Sequence, residues 1–440
     1  MKWIISALLA GFSFITLQAQ ETVFQKELLD QYFQKINEAE QCMLSVAIHQ
    51  NGVELYTRAI GWSDLEGEKL ANTATRYRIG SISKTFTAVL VLQQVEAGKL
   101  RLDQKLADFF PDFQNAHLIT IEHLLRHRSG LHNFTNDALY ETYNEAAQSR
   151  EDMLSVFRPM PIDFQPDETA KYSNTNYVLL SYILEDVSGK SYGELLEKKI
   201  IKPLKLKHTK FSYGVDKSAN EAWSYQALGV WTAHGMTHST VPMGAGALQS
   251  TPSDLNKFYR ALFQGELLQQ STLDQMIHLV DGYGMGIFTF PYYENEAYGH
   301  TGGIDAYSSM SGYFQQQDLA VSATSNGCKM SLNDIMIKML DASFGKTFEI
   351  PEFAPSYQHT MEELTSMTGS YGHPMLPFKI IISVKGQALM ATAADQPAFP
   401  LACEAPYSFA YDQAGIKIQF EPENNKMIFE QGQRLEMTRD

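Results

Sequence analysis

The stretch that decides the fold reads Tyr77-Arg78-Ile79-Gly80-Ser81-Ile82-Ser83-Lys84-Thr85-Phe86-Thr87-Ala88. Apolar residues continue at helical spacing through residues 83–100, which predicts an amphipathic helix with Ser81 at its start. A serine at a helix N-terminus faces the positive end of the helix dipole, and Lys84, three residues later, lies on the same face. The pattern therefore predicts an activated serine nucleophile.

The Ser-x-x-Lys pattern is weak alone, because residues 343–346 match it as well. A second signal is Tyr172-Ser173-Asn174, which precedes a predicted helix over 177–187. A phenol with a pKa of about 10 acts as a base only when nearby cations stabilise the phenolate, and Lys84 would supply that charge. Asn174 offers an amide for Lys84 or for a substrate carbonyl. A buried tyrosine with a capping asparagine is the structural alternative.

The third signal is His300-Thr301-Gly302-Gly303, ahead of a strand-like segment over 307–314. Glycines let a substrate backbone approach closely, and the amides of Gly303 and Ser81 are predicted to form an oxyanion hole. His300 is expected to donate a hydrogen bond to the substrate or its leaving group. A plain turn between two strands is the alternative interpretation.

Composition limits the classes of protein. With 440 residues and 44% hydrophobic content, the chain is expected to form two folded units. A net charge of -15, without any Lys/Arg-rich run, argues against a nucleic-acid partner. Cys42, Cys328 and Cys403 are widely spaced and odd in number, which predicts mostly buried free thiols, at most one disulfide, and no metal site. No cofactor is expected.

The chain begins with a basic residue and an apolar run over 4–17, typical of a secretory signal peptide. We expect cleavage after Ala19 and a periplasmic or secreted protein, because the run is shorter than the roughly 20 residues of a membrane-spanning helix. No stable membrane insertion is expected after cleavage.

The rest of the chain predicts two domains. Helical spacing over 21–40, a strand over 43–48 and an Asn51-Gly52 turn open a first domain over 20–347. Two prolines make 348–356 a stiff linker. Short alternating runs then predict a small antiparallel β-barrel or meander over 357–440.

The order of these motifs resembles the family of class C β-lactamases, D-alanyl-D-alanine carboxypeptidases and their esterase and D-aminopeptidase relatives. The resemblance covers roughly residues 28–340, and the second Ser-x-x-Lys match, at residues 343–346, falls outside its order. Its signatures here are 77–88, Ile121-Glu122-His123-Leu124-Leu125-Arg126-His127-Arg128-Ser129-Gly130-Leu131, 172–177, Gly246-Ala247-Leu248-Gln249-Ser250-Thr251-Pro252-Ser253-Asp254-Leu255 and 300–303. It implies an α+β fold, in which an antiparallel sheet flanked by helices packs against a mostly helical lobe with the site between them.

The resemblance also implies roles for these residues. Ser81 attacks a carbonyl and forms an acyl-enzyme, Lys84 and Tyr172 share the proton transfers, and Asn174 positions Lys84 and substrate. Which of Lys84 and Tyr172 is the base stays open. His300 is expected to complete the catalytic set, with substrate binding by Thr301, Gly302 and Gly303. Residues 127, 129 and 130 are expected to support the architecture.

One departure bears on the substrate: class C β-lactamases usually have a lysine where this chain has His300. A histidine is mostly neutral at pH 7 and holds a substrate carboxylate less well. This favours a peptide, D-amino-acid amide or ester substrate for an exported serine hydrolase. A true class C-like β-lactamase and a penicillin-binding or sensor protein without turnover are the alternatives.

Specificity is expected to lie in cleft loops such as 133–166 and 223–243. The segment after residue 356 resembles a small β-domain often appended to bacterial members, either narrowing the cleft or stabilising the enzyme. The sequence gives no indication of oligomeric state.

Overall fold

A computed structural model describes residues 23–228, 230–353, 357, 359–394, 398–411 and 414–440. The expected signal peptide, residues 1–19, lies outside these residues, and so do positions 354–356 of the expected linker. No helix in the described part of the chain is long and apolar enough to cross a bilayer.

Most of the chain before residue 344 folds as a sheet covered by helices, joined to a helical lobe. The helices are α1 Lys26–Glu38, α2 Ser83–Glu96, α3 Ile121–Leu125, α4 Tyr140–Tyr143, α5 Arg150–Phe157, α6 Asn174–Ser188, α7 Tyr192–Leu196, α8 Lys202–Leu204, α9 Met243–Gly246, α10 Pro252–Phe263, α11 Gln270–Ile277, α12 Leu332–Ser343 and α13 Met361–Ser366. The strands before residue 344 are β1 Cys42–Gln50, β2 Val53–Ile60, β3 Trp62–Asp64, β4 Lys69–Leu70, β5 Tyr77–Arg78, β6 Lys210–Phe211, β7 Tyr225–Leu228, β8 Val230–Ala233, β9 Leu248–Ser250, β10 Phe288–Tyr292, β11 Asn295–Ile304, β12 Tyr307–Phe314 and β13 Leu319–Cys328.

Six of these strands form one antiparallel sheet in the order β10-β11-β12-β13-β1-β2. One face packs against α1 and α12 in a continuous apolar cluster. The other face is covered by α10, where the Asn256 amide donates to the Ala47 carbonyl at 3.0 Å and accepts from Ser322 at 2.6 Å. Because both faces are covered, β1 is buried almost throughout.

The helical lobe has its own apolar cluster, in which α2 and α6 are central and almost wholly buried. The short three-stranded sheet β5-β9-β6 touches both parts, because β5 contacts β13 of the large sheet and β6 contacts α7 of the lobe. Since β5 leads directly into the turn at 80–82 and then into α2, the start of α2 lies between sheet and lobe.

The chain beyond residue 368 forms a second antiparallel sheet. Its strands are β14 Gly369–Gly372, β15 Ile380–Lys385, β16 Ala388–Ala393, β17 Phe399–Pro400, β18 Ala402–Ala405, β19 Ser408–Tyr411, β20 Ile416–Glu421, β21 Lys426–Gln431 and β22 Gln433–Arg439. Their order is β17-β16-β15-β14-β22-β21-β20-β19-β18, and only Leu401 separates the two edge strands along the chain. The sheet is therefore nearly closed, around a core of its own.

The hairpin of β7 and β8 lies between the two sheets, because β7 contacts both β13 and the C-terminal sheet. Leu228, at the end of β7, forms a small buried cluster with Ala388 and Met390 of β16. Phe348 and Phe353 of the expected linker pack against the apolar cluster of α1 and α12. We propose that the domains join through residues 348–356, with the hairpin as a second point of contact.

One alternative is excluded and one sequence-based expectation needs correction. The alternative interpretation of residues 300–303 as a plain turn is wrong, because they lie inside strand β11, where His300 pairs with Ser311 and Gly303 with Ser308 along β12. The expectation of mostly free thiols also needs correction. Cys42 and Cys328 are joined by a disulfide that links β1 to β13, because these strands bring two residues distant in sequence side by side. Only Cys403 is a free thiol among the described cysteines.

Candidate active site

Ser81 lies in a cleft between the sheet and the helical lobe. It is partly exposed in a short 3-10 turn, Gly80–Ile82, from which α2 continues. Gly80 has φ +49°, and a Cβ there would come within 2.8 Å of the Gly303 amide nitrogen. A glycine is thus required for the turn and for the approach of β11.

The cleft beside Ser81 has a volume of about 430 Å³. Both loops expected to carry specificity contribute to it. Its lining residues are Ser81, Phe134, Thr135, Tyr140, Glu141, Asn144, Glu145, Asn174, His234, Gly235, Thr237, Pro242, Ala245, Gly246, Gly303, Ile304 and Asp305.

Lys84 is fully buried beneath Ser81. Its Nζ lies 3.0 Å from the Ser81 hydroxyl, 2.7 Å from Asn174 Oδ1 and 2.7 Å from the Ala245 carbonyl oxygen. Burial lowers the pKa of Lys84 well below its ordinary value, because no carboxylate compensates the lost hydration of the ammonium. This places an amine that readily gives up its proton beside a hydroxyl.

The phenol of Tyr172 also contacts the Ser81 hydroxyl. Burial raises the pKa of its phenol above the ordinary value, and a hydrogen bond with the Ser81 side chain opposes that shift. The Lys84 Nζ is 4.8 Å from the centre of the Tyr172 ring, and the His127 ring lies 4.5 Å from it on centroids. Since the phenol pKa is raised and the amine pKa is lowered, Tyr172 carries its proton more firmly than Lys84 does.

Asn174 is the first residue of α6, three residues earlier than the sequence pattern indicates. Its Oδ1 accepts from Lys84, while its Nδ2 donates to Thr135 Oγ1 at 3.1 Å and its backbone N–H to Asn133 Oδ1 at 2.9 Å. The amide orientation is thereby set from three sides. The sequence analysis missed Thr135 and Ala245 as partners, since neither belongs to a motif that distinguishes it from ordinary loop residues.

His300 lies behind Tyr172, with ring centroids 6.4 Å apart, and is buried. Its Nδ1 contacts the Thr301 carbonyl at 2.5 Å. Because a carbonyl only accepts, Nδ1 carries the proton and Nε2 is an acceptor, without a partner among the described residues. Burial and the Lys84 charge lower the pKa of His300 to about 3. The expected hydrogen-bond donation from His300 to substrate does not fit this neutral tautomer.

The glycines of β11 have different surroundings. A Cβ on Gly302 would fall 2.0 Å from the Ile79 carbonyl oxygen, so this glycine makes room for the chain's own backbone and not for a substrate. At Gly303, no atom of the described part of the chain lies within 4 Å of such a Cβ, and Gly303, like Thr301, is exposed. Only Gly303 of the two therefore has open space for a ligand, and it also lines the cleft.

No group of three or more His, Cys, Asp or Glu side chains in the described ranges is placed to hold a metal ion. The chemistry that the arrangement offers comes from side chains: a hydroxyl, an adjacent amine of lowered pKa and a phenol. These are the components of nucleophilic catalysis at a carbonyl, so the fold and the site define a serine hydrolase.

The chain belongs to the beta-lactamase family, whose model matches residues 29–342. Similar proteins include the teichoic acid D-alanine hydrolase of Staphylococcus aureus, 28% identical over 255 residues, which are 57% of this chain and 62% of that protein. This chain thus spans a little under two thirds of that relative's length.

Solved structures agree on the fold. The D-amino acid amidase of Ochrobactrum anthropi SV3, complexed with L-phenylalanine, is 26% identical with a TM-score of 0.63, over 72% of this chain and 98% of that one. An octameric penicillin-binding protein homologue from Pyrococcus abyssi is 22% identical with a TM-score of 0.63, over 94% of this chain and 99% of that one. The second match extends the structural likeness over most of the C-terminal β-sheet.

Proposed function

We propose that this protein is an exported hydrolase that cleaves D-aminoacyl esters or amides through an acyl-enzyme on Ser81. The observation that carries the proposal is the 3.0 Å contact between Ser81 and Lys84, an amine whose pKa is lowered by burial. A neutral amine accepts the hydroxyl proton as the oxygen attacks, which turns a weak nucleophile into a competent one.

In the first step, Ser81 Oγ forms a bond to the substrate carbonyl carbon and its proton passes to Lys84. The amides of Ser81 and Gly303 stabilise the resulting oxyanion. Tyr172 donates its phenolic proton to the leaving alcohol or amine as the ester or amide bond breaks, and the Lys84 proton restores the phenol. Water then attacks the acyl carbon, giving its proton to Lys84, and the acid product leaves with Ser81 protonated again.

Two observations support a D-aminoacyl substrate over a β-lactam, and a third is compatible with it. His300 is neutral because its pKa is lowered to about 3, so it supplies no positive charge for a substrate carboxylate. Two of the similar proteins carry D-amino acid chemistry in their names, an amidase and a D-alanine hydrolase. The open position at Gly303 leaves room for the acyl group next to Ser81.

We propose export on two grounds, the N-terminal sequence and a disulfide in the first domain. The Cys42–Cys328 disulfide is typical of proteins that fold in an oxidising compartment. It therefore supports the secretory interpretation of residues 1–19.

The test compares the mature protein with Ser81→Ala on a p-nitrophenyl ester, a D-amino-acid amide and nitrocefin. We expect wild-type turnover of the first two and little of the third, with a loss of about three orders of magnitude or more in Ser81→Ala. Intact-mass spectrometry after fluorophosphonate treatment should show an adduct on wild type alone. Faster turnover of nitrocefin would favour a β-lactamase, and a stable penicillin adduct without turnover would favour a sensor.

A further inference from the structure

The cleft that holds Ser81 has one wall rich in acceptors and carboxylates. We name it the acidic wall. It is formed by Glu141, which lies in α4, and by Asn144 and Glu145, which directly follow that helix; all three line the cleft. Neither glutamate is part of the Ser81 constellation. Both are exposed and lie in the loop over 133–166, which is expected to carry specificity.

The charge on the acidic wall is not balanced within the described chain. Asp305, the third carboxylate of the cleft, is paired with Arg78 at 2.7 Å. Glu141 and Glu145 make no ion pair there, and Glu141 accepts only a 3.3 Å hydrogen bond from the Asn144 side chain. Among the described lining residues of the cleft there is no lysine or arginine. The cleft beside Ser81 therefore presents two uncompensated negative charges.

The side-chain oxygen of Asn144 is a second, independent observation. Asn144 is only 6% exposed, and its Oδ1 has no hydrogen-bond partner among the residues that the structure describes. A buried amide oxygen left unpaired costs free energy unless a donor arrives from outside the chain. The acidic wall thus combines two carboxylates with an acceptor that lacks its donor.

The cleft loop over 223–243 positions the Glu145 side chain through Gly235. A Cβ on Gly235 would come 1.9 Å from Glu145 Oε1, so the carboxylate packs directly on the glycine backbone. His234, beside it, donates its Nδ1 proton to the Gly235 carbonyl at 2.6 Å, which leaves it no proton to offer Glu145 from that nitrogen. Glu145 is therefore located by packing and not by a cation.

We infer that the acidic wall binds the protonated amino group of the substrate's acyl part, placing its carbonyl carbon at Ser81. A primary ammonium has three N–H donors, and Glu141, Glu145 and Asn144 Oδ1 supply three acceptors. The inference rests on the proposed function and deepens it: the substrate is a D-aminoacyl ester or amide with a free amino group. The same charges repel a substrate with a carboxylate at this place.

Kinetics test the inference with two substrates that differ only at the amino group, D-alanine p-nitroanilide and its N-acetyl derivative. Wild type should favour the free amine. In Glu145→Gln, the ratio of kcat/KM between the two anilides should fall about tenfold or more, because a charge-assisted hydrogen bond becomes a neutral one. Glu27→Gln, an exposed residue of α1 outside the cleft, is the matched control and should keep the wild-type ratio.

A binding measurement separates this inference from the acyl-enzyme chemistry. Calorimetry on Ser81→Ala should show D-alanine amide binding at least about tenfold more tightly than D-lactamide, in which a hydroxyl replaces the ammonium. Glu145→Gln in the same background should remove that difference. Equal binding of the two amides, or an unchanged anilide ratio in Glu145→Gln, overturns the role of the acidic wall while a reactive Ser81 stands. An unreactive Ser81 with intact preference for the amine overturns the proposed chemistry instead.

Discussion

Arg78 and Asp305 form an ion pair of 2.7 Å with both side chains under 5% exposed. Arg78 ends the strand that leads to Ser81, and Asp305 follows β11, so the pair joins the nucleophile's strand to the strand of Gly303. Asp305 also accepts from the backbone and hydroxyl of Thr237 in the cleft loop. The Asp305 carboxylate, directly after β11, thus links that strand to β5 and to the cleft loop over 223–243.

Replacing the Asp305 carboxylate should destabilise the folded protein. In Asp305→Asn, the Arg78 charge stays buried without its counter-charge, and we expect the free energy of unfolding to fall by about 3–5 kcal/mol. Urea denaturation measures the change. The control is Asp103→Asn, because the Arg101–Asp103 pair is 70% and 81% exposed and should contribute under about 1 kcal/mol. Equal effects of the two substitutions would contradict the argument.

The pH dependence of kcat/KM should report Lys84. If its neutral amine accepts the Ser81 proton, activity rises with pH through the Lys84 pKa, and the lowered pKa puts this rise well below the ordinary lysine value of about 10.4. Lys84→Arg keeps the charge but does not give up its proton near neutral pH, so kcat/KM should fall about a hundredfold or more and the rise should vanish. A rise retained at the same pH in Lys84→Arg would assign it to another group.

His300 should make the protein sensitive to acid. The folded-state pKa of His300 is about 3 and lies below the unfolded value of about 6.5. Between these two pH values the unfolded chain binds a proton at His300 and the folded chain does not. This component of stability is complete above pH 6.5 and is lost as pH falls towards 3. Between pH 7 and pH 4, His300→Gln should lose about 3 kcal/mol less than wild type in urea unfolding. His117→Gln, at an exposed position, should follow the wild-type curve.

Two adjacent glycines should respond differently to alanine. Gly302→Ala places a methyl group against the Ile79 carbonyl, and the free energy of unfolding should fall by about 1–3 kcal/mol or more. Gly303→Ala meets open space, so its thermal unfolding should change by under about 0.5 kcal/mol while KM for the ester rises. Similar destabilisation by both would show that Gly303 is also packed.

The disulfide gives a chemical prediction. Denatured, unreduced protein should show one titratable thiol per chain, Cys403, out of three cysteines. Cys42→Ser should lower the free energy of unfolding by about 2–4 kcal/mol, because the unfolded chain regains the freedom that the cross-link removed. Cys403→Ser should leave it close to wild type. Three free thiols in the mature protein would contradict both the bond and its support for export.

The local pattern of residues was enough for much of the fold. Apolar spacing predicted the helices that became α1, α2 and α6, and Asn51-Gly52 predicted the turn between β1 and β2, where both residues have positive φ. These elements depend on neighbours in the chain, so the sequence carries their signals directly. The order of the motifs also predicted that Ser81, Lys84, Tyr172 and Asn174 meet in one site.

Only the tertiary structure decided how those side chains are charged and what surrounds them. The lowered pKa of Lys84, the acceptor nitrogen of His300 and the Ala245 carbonyl on Lys84 all arise from burial among residues distant in the chain. The glycines at 302 and 303 left a plain turn open as an alternative in the sequence, whereas pairing with β12 keeps residues 300–303 extended. Hydration and long-range contacts set these properties, and neither is written in the spacing of neighbouring residues.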